Sequence, residues 1–278
     1  MAKIINSVGN ELKIIILIII LLVFFYYLNE TKMVTMVDNE TSSNLTIVII
    51  YDNNEYDEKM EMGFGFSCLV KLENKNILFD TGGDSPTLLN NMNKLKIDPK
   101  EVDIIVLSHI HGDHVGGLSG FLKVNPNVKV YIPQSFPKSF KDEIKSYGAS
   151  FVDVGDPTKI FDGVYSTGEL GTWIKEQSLI IKTEKGLIVM TGCAHPGILD
   201  VVKRSKELMK EDVYLVTGGF HLSGTSEYEI KNIIESFRDI GVKKVAPCHC
   251  TGDRAISLFE EEYKNDFIKA GIGKTILV

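Results

Sequence analysis

The sequence predicts an α/β protein, and two observations lead to this class. From residue 45 onward, short runs rich in Val, Ile and Leu alternate with predicted helices, and turn residues separate them. Four of the predicted strands end in turns that carry histidine. Because strand ends in α/β domains gather ligand-binding residues at one edge, we expect one site on one face of one domain.

Residues 1–30 are predicted to form a membrane anchor or signal segment. Every residue from Ile14 to Leu28 is apolar or aromatic, and Leu12 extends this run. The length lies in the lower range for a helix that spans a bilayer. A cleaved signal peptide is the alternative, but no small-residue cleavage site follows the run. We therefore expect a transmembrane helix before the α/β domain, with residues 12–28 contacting the membrane.

This anchor would set the location of the chain. Lys3 and Lys13 flank the N-terminal side of the apolar run, and acidic residues follow it from Glu30. The positive-inside rule then predicts a single-pass protein of the cell membrane whose domain lies outside the cytoplasm. The polar residues 31–44 indicate a flexible tether, and the globular domain is predicted at 45–278.

The first half of this domain is predicted to begin with strands. Ser85 and Pro86 indicate the start of the first helix, because serine caps helices and proline suits the first turn. A short helix is predicted from Leu118 and a longer one over about 135–147. The predicted strands are 45–51, 63–72, 77–80, 101–107 and 128–132, with two more around Phe151 and Val164.

The second half repeats a unit of helix followed by strand. Residues 179–183 and 187–191 predict a hairpin closed by Glu184-Lys185-Gly186. Later predicted helices are 197–210, 226–240 and 253–263, and later predicted strands are 213–217, 242–246 and 275–278. His195, His221 and His249 follow three of these strands, at their carboxyl ends.

The strongest chemical signal is Ser108-His109-Ile110-His111-Gly112-Asp113-His114, which follows an apolar run. Alternate residues of an extended chain share a face, so His109 and His111 can face one ion. Asp113 and His114 lie on the following turn, in place for a second. Neutral imidazole and carboxylate suit zinc, and iron or manganese nearly as well. A surface loop without a ligand is the alternative, disfavoured because the other three histidines also follow apolar runs.

Composition limits the partners and the chemistry. The formal net charge of -7 argues against electrostatic capture of nucleic acid. Four cysteines are too few for a disulfide framework in 278 residues. Cys193, Cys248 and Cys250 each lie within two residues of His195 or His249. They are either reduced thiols near the metal or small residues in tight turns, and packing is favoured because the histidines already supply enough ligands.

These motifs resemble the metallo-β-lactamase-fold superfamily, over roughly residues 45–278. The His-x-His-x-Asp-His signature carries that resemblance. Finer features are similar to one branch, the 7,8-dihydropterin-6-methyl-4-(β-ribofuranosyl)aminobenzene-5'-phosphate synthase-like metal-dependent hydrolases. These features are Phe79-Asp80-Thr81-Gly82, Glu176-Gln177-Ser178-Leu179, Thr191-Gly192-Cys193-Ala194-His195-Pro196-Gly197-Ile198, Gly218-Gly219-Phe220-His221-Leu222 and Pro247-Cys248-His249-Cys250-Thr251-Gly252.

The resemblance implies a four-layer αββα sandwich with a two-metal site at one edge. Two divalent ions are implied, and zinc is favoured over iron or manganese. By position, the first ion would be held by His109, His111 and His195, and the second by Asp113, His114 and His249.

Two further positions have alternatives under this resemblance. Many relatives carry an aspartate where this chain has Gly219. Either His221 reaches a metal, or a hydroxide alone bridges the ions and His221 contacts the substrate; we favour His221 near the metals. Asp80 would orient a ligand imidazole, and the alternative is an aspartate that merely forms the turn.

The sequence therefore predicts a metal-dependent hydrolase that uses metal-bound hydroxide, with Asp113 and His221 as catalytic residues. The helix starting at Leu118 would aim its amides at the metals and favour a small anionic substrate, with phosphate as one candidate group. Trp173 either stacks on a planar ring or packs in the core. The alternatives are a lactamase, lactonase or phosphodiesterase, or a non-hydrolytic di-iron or metal-sensing domain.

Overall fold

A computed structural model describes residues 13–24 and 45–278 of the chain. Residues 13–24 are helical. Across both described ranges, no helix combines enough length with enough apolar character to span a membrane. The predictions of a transmembrane helix, of membrane contact through residues 12–28 and of a single-pass location are therefore wrong. The end of the apolar run, 25–28, lies outside the described residues.

The strands of residues 45–278 are numbered in chain order. They are β1 (Thr46–Tyr51), β2 (Ser67–Lys71), β3 (Asn76–Phe79), β4 (Ile104–Val106), β5 (Lys129–Pro133), β6 (Ser150–Val154), β7 (Thr158–Phe161), β8 (Val164–Ser166), β9 (Leu179–Thr183), β10 (Gly186–Thr191), β11 (Val213–Gly219), β12 (Lys244–Cys248) and β13 (Thr275–Leu277). The predicted strands are all present, and β7 is an additional one.

These strands form two mixed sheets. The first has the order β13-β1-β2-β3-β4-β5-β6 and is parallel from β3 to β6. The second has the order β12-β11-β10-β9-β8-β7 and is parallel from β10 to β12. In its register Thr191 pairs with Gly218, and Gly218 pairs with Pro247. The carboxyl ends of three neighbouring strands are therefore level, and their following turns lie side by side.

The main core lies between the two sheets. Alternation decides which side chains enter it: Ile77 and Phe79 of β3 face the second sheet, whereas Leu78 between them packs under the outer helices. From the other sheet, Ile188 and Met190 enter the same core. This alternation buries β1 to β5 on both faces, which explains their nearly continuous apolar sequence.

Helices cover the outer faces and complete the four-layer αββα arrangement. They are α1 (Ser85–Lys94), α2 (Gly112–Val115), α3 (Leu118–Val124), α4 (Lys138–Ser146), α5 (Ile198–Met209), α6 (Glu227–Asp239) and α7 (Asp253–Tyr263). α1 packs on β1 and α4 on β6, while α5 packs on β10 and β11 and α7 on β12. The α/β sandwich predicted from the sequence is confirmed.

Two local predictions differ from the structure. The side chain that caps α1 is Asp84, which accepts the N–H of Thr87, and Ser85 is already the first helical residue. The second strand begins only at Ser67. The backbone of Gly65 lies against the histidine-rich loop 108–114, and a Cβ on Gly65 would stand 2.3 Å from the carbonyl oxygen of Asp113. Residues 63–66 therefore serve as a loop over the site.

Candidate metal centre

All six histidines of the chain lie in one cluster beyond the carboxyl ends of the strands. The ring centroids of neighbouring members are 4.2–4.9 Å apart. The connected rings are those of His109, His111, His114, His195, His221 and His249. The structure thus brings together every histidine that the sequence singled out, and Asp113 lies among them, with Oδ2 3.5 Å from His114 Nε2.

Backbone contacts hold the histidine-rich loop in place. The carbonyl of Asp113 accepts the N–H of Phe66, and the carbonyl of His114 accepts both the N–H and the hydroxyl of Thr81. Gly116 lies so close to the next turn that a Cβ would stand 2.0 Å from the carbonyl oxygen of Gly83. The loop is therefore a rigid platform, which a site built from several side chains requires.

Asp80 orients His114. Its Oδ1 accepts the N–H of Ser108 at 2.6 Å, and its Oδ2 accepts the Ser108 hydroxyl and His114 Nδ1, each at 2.7 Å. A carboxylate can only accept, so the His114 ring carries a proton on Nδ1 and turns Nε2 toward the cluster. Asp80 is fully buried. Its role is thus to orient an imidazole, and turn formation alone does not account for its contacts.

Glu176 performs the same task for His195. Its Oε2 accepts His195 Nδ1 at 2.8 Å and the His195 N–H at 2.9 Å, while Oε1 accepts the N–H groups of Cys193 and Ala194. One buried carboxylate therefore shapes the whole turn after β10. It also fixes His195 with Nε2 free to face the other histidines.

His109 and His249 are oriented by neutral partners. The Ser108 hydroxyl donates to Asp80, so it accepts the proton of His109 Nδ1 at 2.9 Å. Asn53 donates through Nδ2 to the carbonyl of His249 and therefore accepts His249 Nδ1 through Oδ1 at 2.8 Å. Each of the four imidazoles with an outer partner on Nδ1 thus turns Nε2 toward the cluster.

The converging donor atoms fit a cation. His114 Nε2 and His249 Nε2 are 3.2 Å apart, and Asp113 Oδ2 lies 3.5 and 3.4 Å from them. Ligands around tetrahedral zinc, at bond lengths of about 2.0–2.3 Å, are separated by roughly 3.3–3.7 Å. The His109 Nε2 to His111 Nδ1 distance is 3.0 Å. These donors can hold a metal without a large rearrangement.

Burial and charge set the protonation states of the cluster. Burial, reinforced by the neighbouring imidazoles, lowers the pKa of His109 to about 2, so this ring is neutral and available as a ligand. Burial also raises the pKa of Glu176, but the hydrogen bond from His195, the nearby His109 and the backbone N–H groups outweigh it and lower the pKa to about 2. Glu176 is therefore a carboxylate at neutral pH.

His221 lies at the edge of the cluster, exposed to solvent, with its ring 4.5 Å from that of His195. A hydrogen bond with the Cys250 side chain raises the pKa of His221. No side chain fits at the neighbouring Gly219, because its Cβ would stand 2.3 Å from the Gly192 carbonyl oxygen and 2.6 Å from Cys250 Sγ. The absence of an aspartate there is therefore a steric requirement of this chain.

A cavity of about 550 Å³ opens beside His195 and His221. Its far wall is the loop that carries Trp173, and this side chain is 93 % exposed. The structure thus rules out a core position for Trp173. Gly116 and Gly117, before the helix at Leu118, already donate their N–H groups to the carbonyls of Gly112 and Gly82, so these two amides are not free for an anion.

Sequence reasoning missed three of the residues that build this site. Glu176 was noted only as part of a motif, Asn53 was not among the candidate site residues, and Cys193 was favoured as a packing residue. Their partners are distant: Glu176 lies 19 residues from His195, and Asn53 lies 196 residues from His249. The usable signal was that a metal-binding imidazole needs an acceptor for its second nitrogen.

The fold and the histidine cluster define a class of protein. The family model of the metallo-beta-lactamase superfamily matches residues 61–204. The chain belongs to this superfamily, whose members typically bind divalent metals.

The chain is also similar to particular proteins. It is 35% identical to the 7,8-dihydropterin-6-methyl-4-(beta-D-ribofuranosyl)-aminobenzene-5'-phosphate synthase of Methanocaldococcus jannaschii, over 76% of this chain and 89% of that protein. The solved structure of Tm1679, described as a metal-dependent hydrolase of the beta-lactamase superfamily, has a TM-score of 0.70 at 28% identity, over 84% of this chain and 99% of that one. YhfI from Bacillus subtilis shares the fold, with a TM-score of 0.62 at 13% identity, over 84% and 99%. The resemblance noted in the sequence is confirmed.

Proposed function

We propose that this protein is a metal-dependent hydrolase that binds two divalent cations, with zinc favoured, and acts on a small anionic molecule. The observation that carries the proposal is the orientation of the imidazoles. Partners outside the cluster face Nδ1 of four rings, so the four Nε2 atoms face inward, where their neighbours are other potential ligands such as His111 Nδ1 and Cys193 Sγ. Such outer-shell acceptors are a regular feature of metal-binding histidines.

The proposed ligands fall into two sets. His109, His111 and His195 form the first set, and Asp113, His114 and His249 form the second. Bound divalent cations would polarise the bond under attack and make water acidic enough to act as a nucleophile at neutral pH. Within this scheme the role of the protein is to keep the donors neutral or anionic and rigidly placed.

Two side chains are proposed to handle protons and substrate. Asp113 lies between the two histidines of its set and has a second carboxylate oxygen with which to hold a proton. His221 lines the cavity and is exposed. We propose that it contacts the substrate and donates a proton to the leaving group, a task suited to an imidazole near neutral pH.

The proposed substrate carries a planar ring and a phosphate group. The cavity is large enough for a molecule of that size, and the exposed indole of Trp173 on its wall offers a stacking surface. The compound in the name of the Methanocaldococcus jannaschii relative includes a dihydropterin and a 5'-phosphate. A second candidate function is the bond-forming reaction in that name, which is favoured by the similarity over 89% of the relative's length.

The test is a hydrolysis screen of the full-length, zinc-loaded protein. Chromogenic phosphomonoesters, phosphodiesters, lactones and β-lactams are compared, with formation of the dihydropterin product as a separate assay. We expect hydrolysis of a phosphate ester. A metal-loaded protein that turns over none of the hydrolytic substrates, or bound iron with a redox-active optical signature, would contradict the proposal.

The Asp113→Asn variant tests the site directly. It removes the negative charge and the proton acceptor while preserving shape, so we expect turnover to fall by roughly 10²-fold or more. Circular dichroism should show an unchanged fold. A variant that keeps full activity and its full metal content would show that Asp113 is not catalytic.

A further inference from the structure

The side chain of Cys193 lies between the two sets of donors. Its Sγ is 3.2 Å from His114 Nε2. Among the described residues, three groups of ligand-type atoms have all members within 4.8 Å of one another, and Cys193 is the member that they share. The groups are Asp113, His114, Cys193 and His249; His109, Cys193 and His195; and Cys193, His221 and Cys250. No other residue occurs in more than one of these groups.

The backbone fixes this sulfur in place. The N–H of Cys193 donates to Glu176 Oε1, the oxygen that also holds Ala194. On the other side, a Cβ on Gly192 would stand 2.1 Å from the Ser108 hydroxyl oxygen. The turn is thus pressed against the loop that carries His109, and the position of Cys193 Sγ is set by the same contacts that orient His195.

The surroundings explain why a sulfur stands here. A carboxylate cannot enter from Gly219, where a Cβ would collide with the Gly192 carbonyl oxygen and Cys250 Sγ. Cys193 is 3 % exposed, and its Sγ lies within the cluster. Among the described residues, Cys193 Sγ is therefore the ligand-type atom that lies close to both sets of donors.

We propose that Cys193 is a thiolate ligand shared by the two cations, in the position between them. This inference rests on the proposed two-metal function. Metal binding would release the thiol proton to solvent and form the sulfur–metal bonds. A thiolate favours zinc, cobalt(II) or iron(II) over magnesium or manganese. The site would then select its metal through one sulfur atom that the sequence alone suggested was packing.

Cobalt(II) titration of the full-length protein tests the proposal. Cobalt(II) gives visible d–d bands in any such site, and it gives a near-ultraviolet charge-transfer band only when sulfur is bound. We expect both sets of bands in the wild-type protein, with the charge-transfer band growing through two equivalents. Cys193→Ser should lose the charge-transfer band, keep the visible bands and lose about tenfold or more in zinc affinity.

Cys68→Ser and Cys250→Ser are the matched controls. Cys68 is a buried thiol in the core between the sheets, and Cys250 is the other sulfur near the cluster. Both variants should keep the charge-transfer band, and Cys193→Ala repeats the test if the serine variant folds poorly. The proposal is overturned if the band is absent from the wild type, survives in Cys193→Ser, disappears in Cys250→Ser, or saturates at one equivalent. A wild type without any cobalt bands would instead refute the two-metal function itself.

Discussion

Four imidazoles have a partner outside the cluster, and the acceptor on Nδ1 decides that Nε2 faces the other potential ligands. Asp80, Glu176 and Asn53 accept Nδ1 of His114, His195 and His249. These acceptors lie 34, 19 and 196 residues away from their histidines. The histidine loop itself was identified from the sequence because its residues are adjacent. Its acceptors were harder to find because only the folded sheets bring them near.

Glu176 gives a prediction about pH. Its pKa of about 2 lies below the ordinary value of 4.5, so its contribution to stability is complete above pH 4.5 and is lost as the pH falls towards 2. The contribution is on the order of 3 kcal/mol. In urea unfolding of the metal-free protein at pH 7, Glu176→Gln should be destabilised by about this amount.

The same comparison at pH 3 should show a smaller difference between Glu176→Gln and the wild type, about 1 to 2 kcal/mol, because at this pH the carboxyl is protonated in the unfolded chain and still ionised in the folded one. Glu143→Gln, an exposed position on α4, serves as the control and should unfold like the wild type at both pH values. A destabilisation by Glu176→Gln that is equal at pH 7 and pH 3 would mean that the charge of Glu176 does not stabilise the turn after β10.

At the scale of elements, the two sheets must be held in a fixed relation at the edge where the site lies. Gln177 provides this link. Its Nε2 donates to the carbonyls of Leu107, directly after β4, and of Tyr131, in the middle of β5, and its Oε1 accepts the hydroxyl of Ser166 in β8. Its backbone N–H donates to the carbonyl of Ser108, next to the histidine loop. The residue beside Glu176 thus positions both halves of the site.

Gln177→Ala should therefore destabilise the protein by about 3 kcal/mol, because it leaves buried polar groups of Leu107 and Ser166 short of a partner. Chemical denaturation measures this change. Gln134→Ala is the matched control at an exposed position and should change stability by no more than about 0.5 kcal/mol. If both variants have the same free energy of unfolding, the hydrogen bonds of Gln177 between the sheets do not stabilise the protein.

At the scale of the whole molecule, the alternation of strands and helices was enough to predict the α/β class. The sequence also predicted that the histidine-bearing turns after β4, β10, β11 and β12 lie at one edge. For β10 to β12 the reason is that level parallel strands place their following turns together. Cys193 was harder to interpret: a small residue in a tight turn has the same local sequence whether it packs or binds. The apolar run near the N-terminus predicted a membrane-spanning helix, and no helix among the described residues is long and apolar enough to be one.

The most direct test of the whole account is the number of zinc ions bound per chain. Full-length protein is stripped of metal, dialysed against zinc, and analysed by inductively coupled plasma mass spectrometry together with protein quantification. The account predicts two zinc ions per chain in the wild type and fewer in a variant that lacks His114 and His249. A wild-type protein that binds no zinc under these conditions would contradict it.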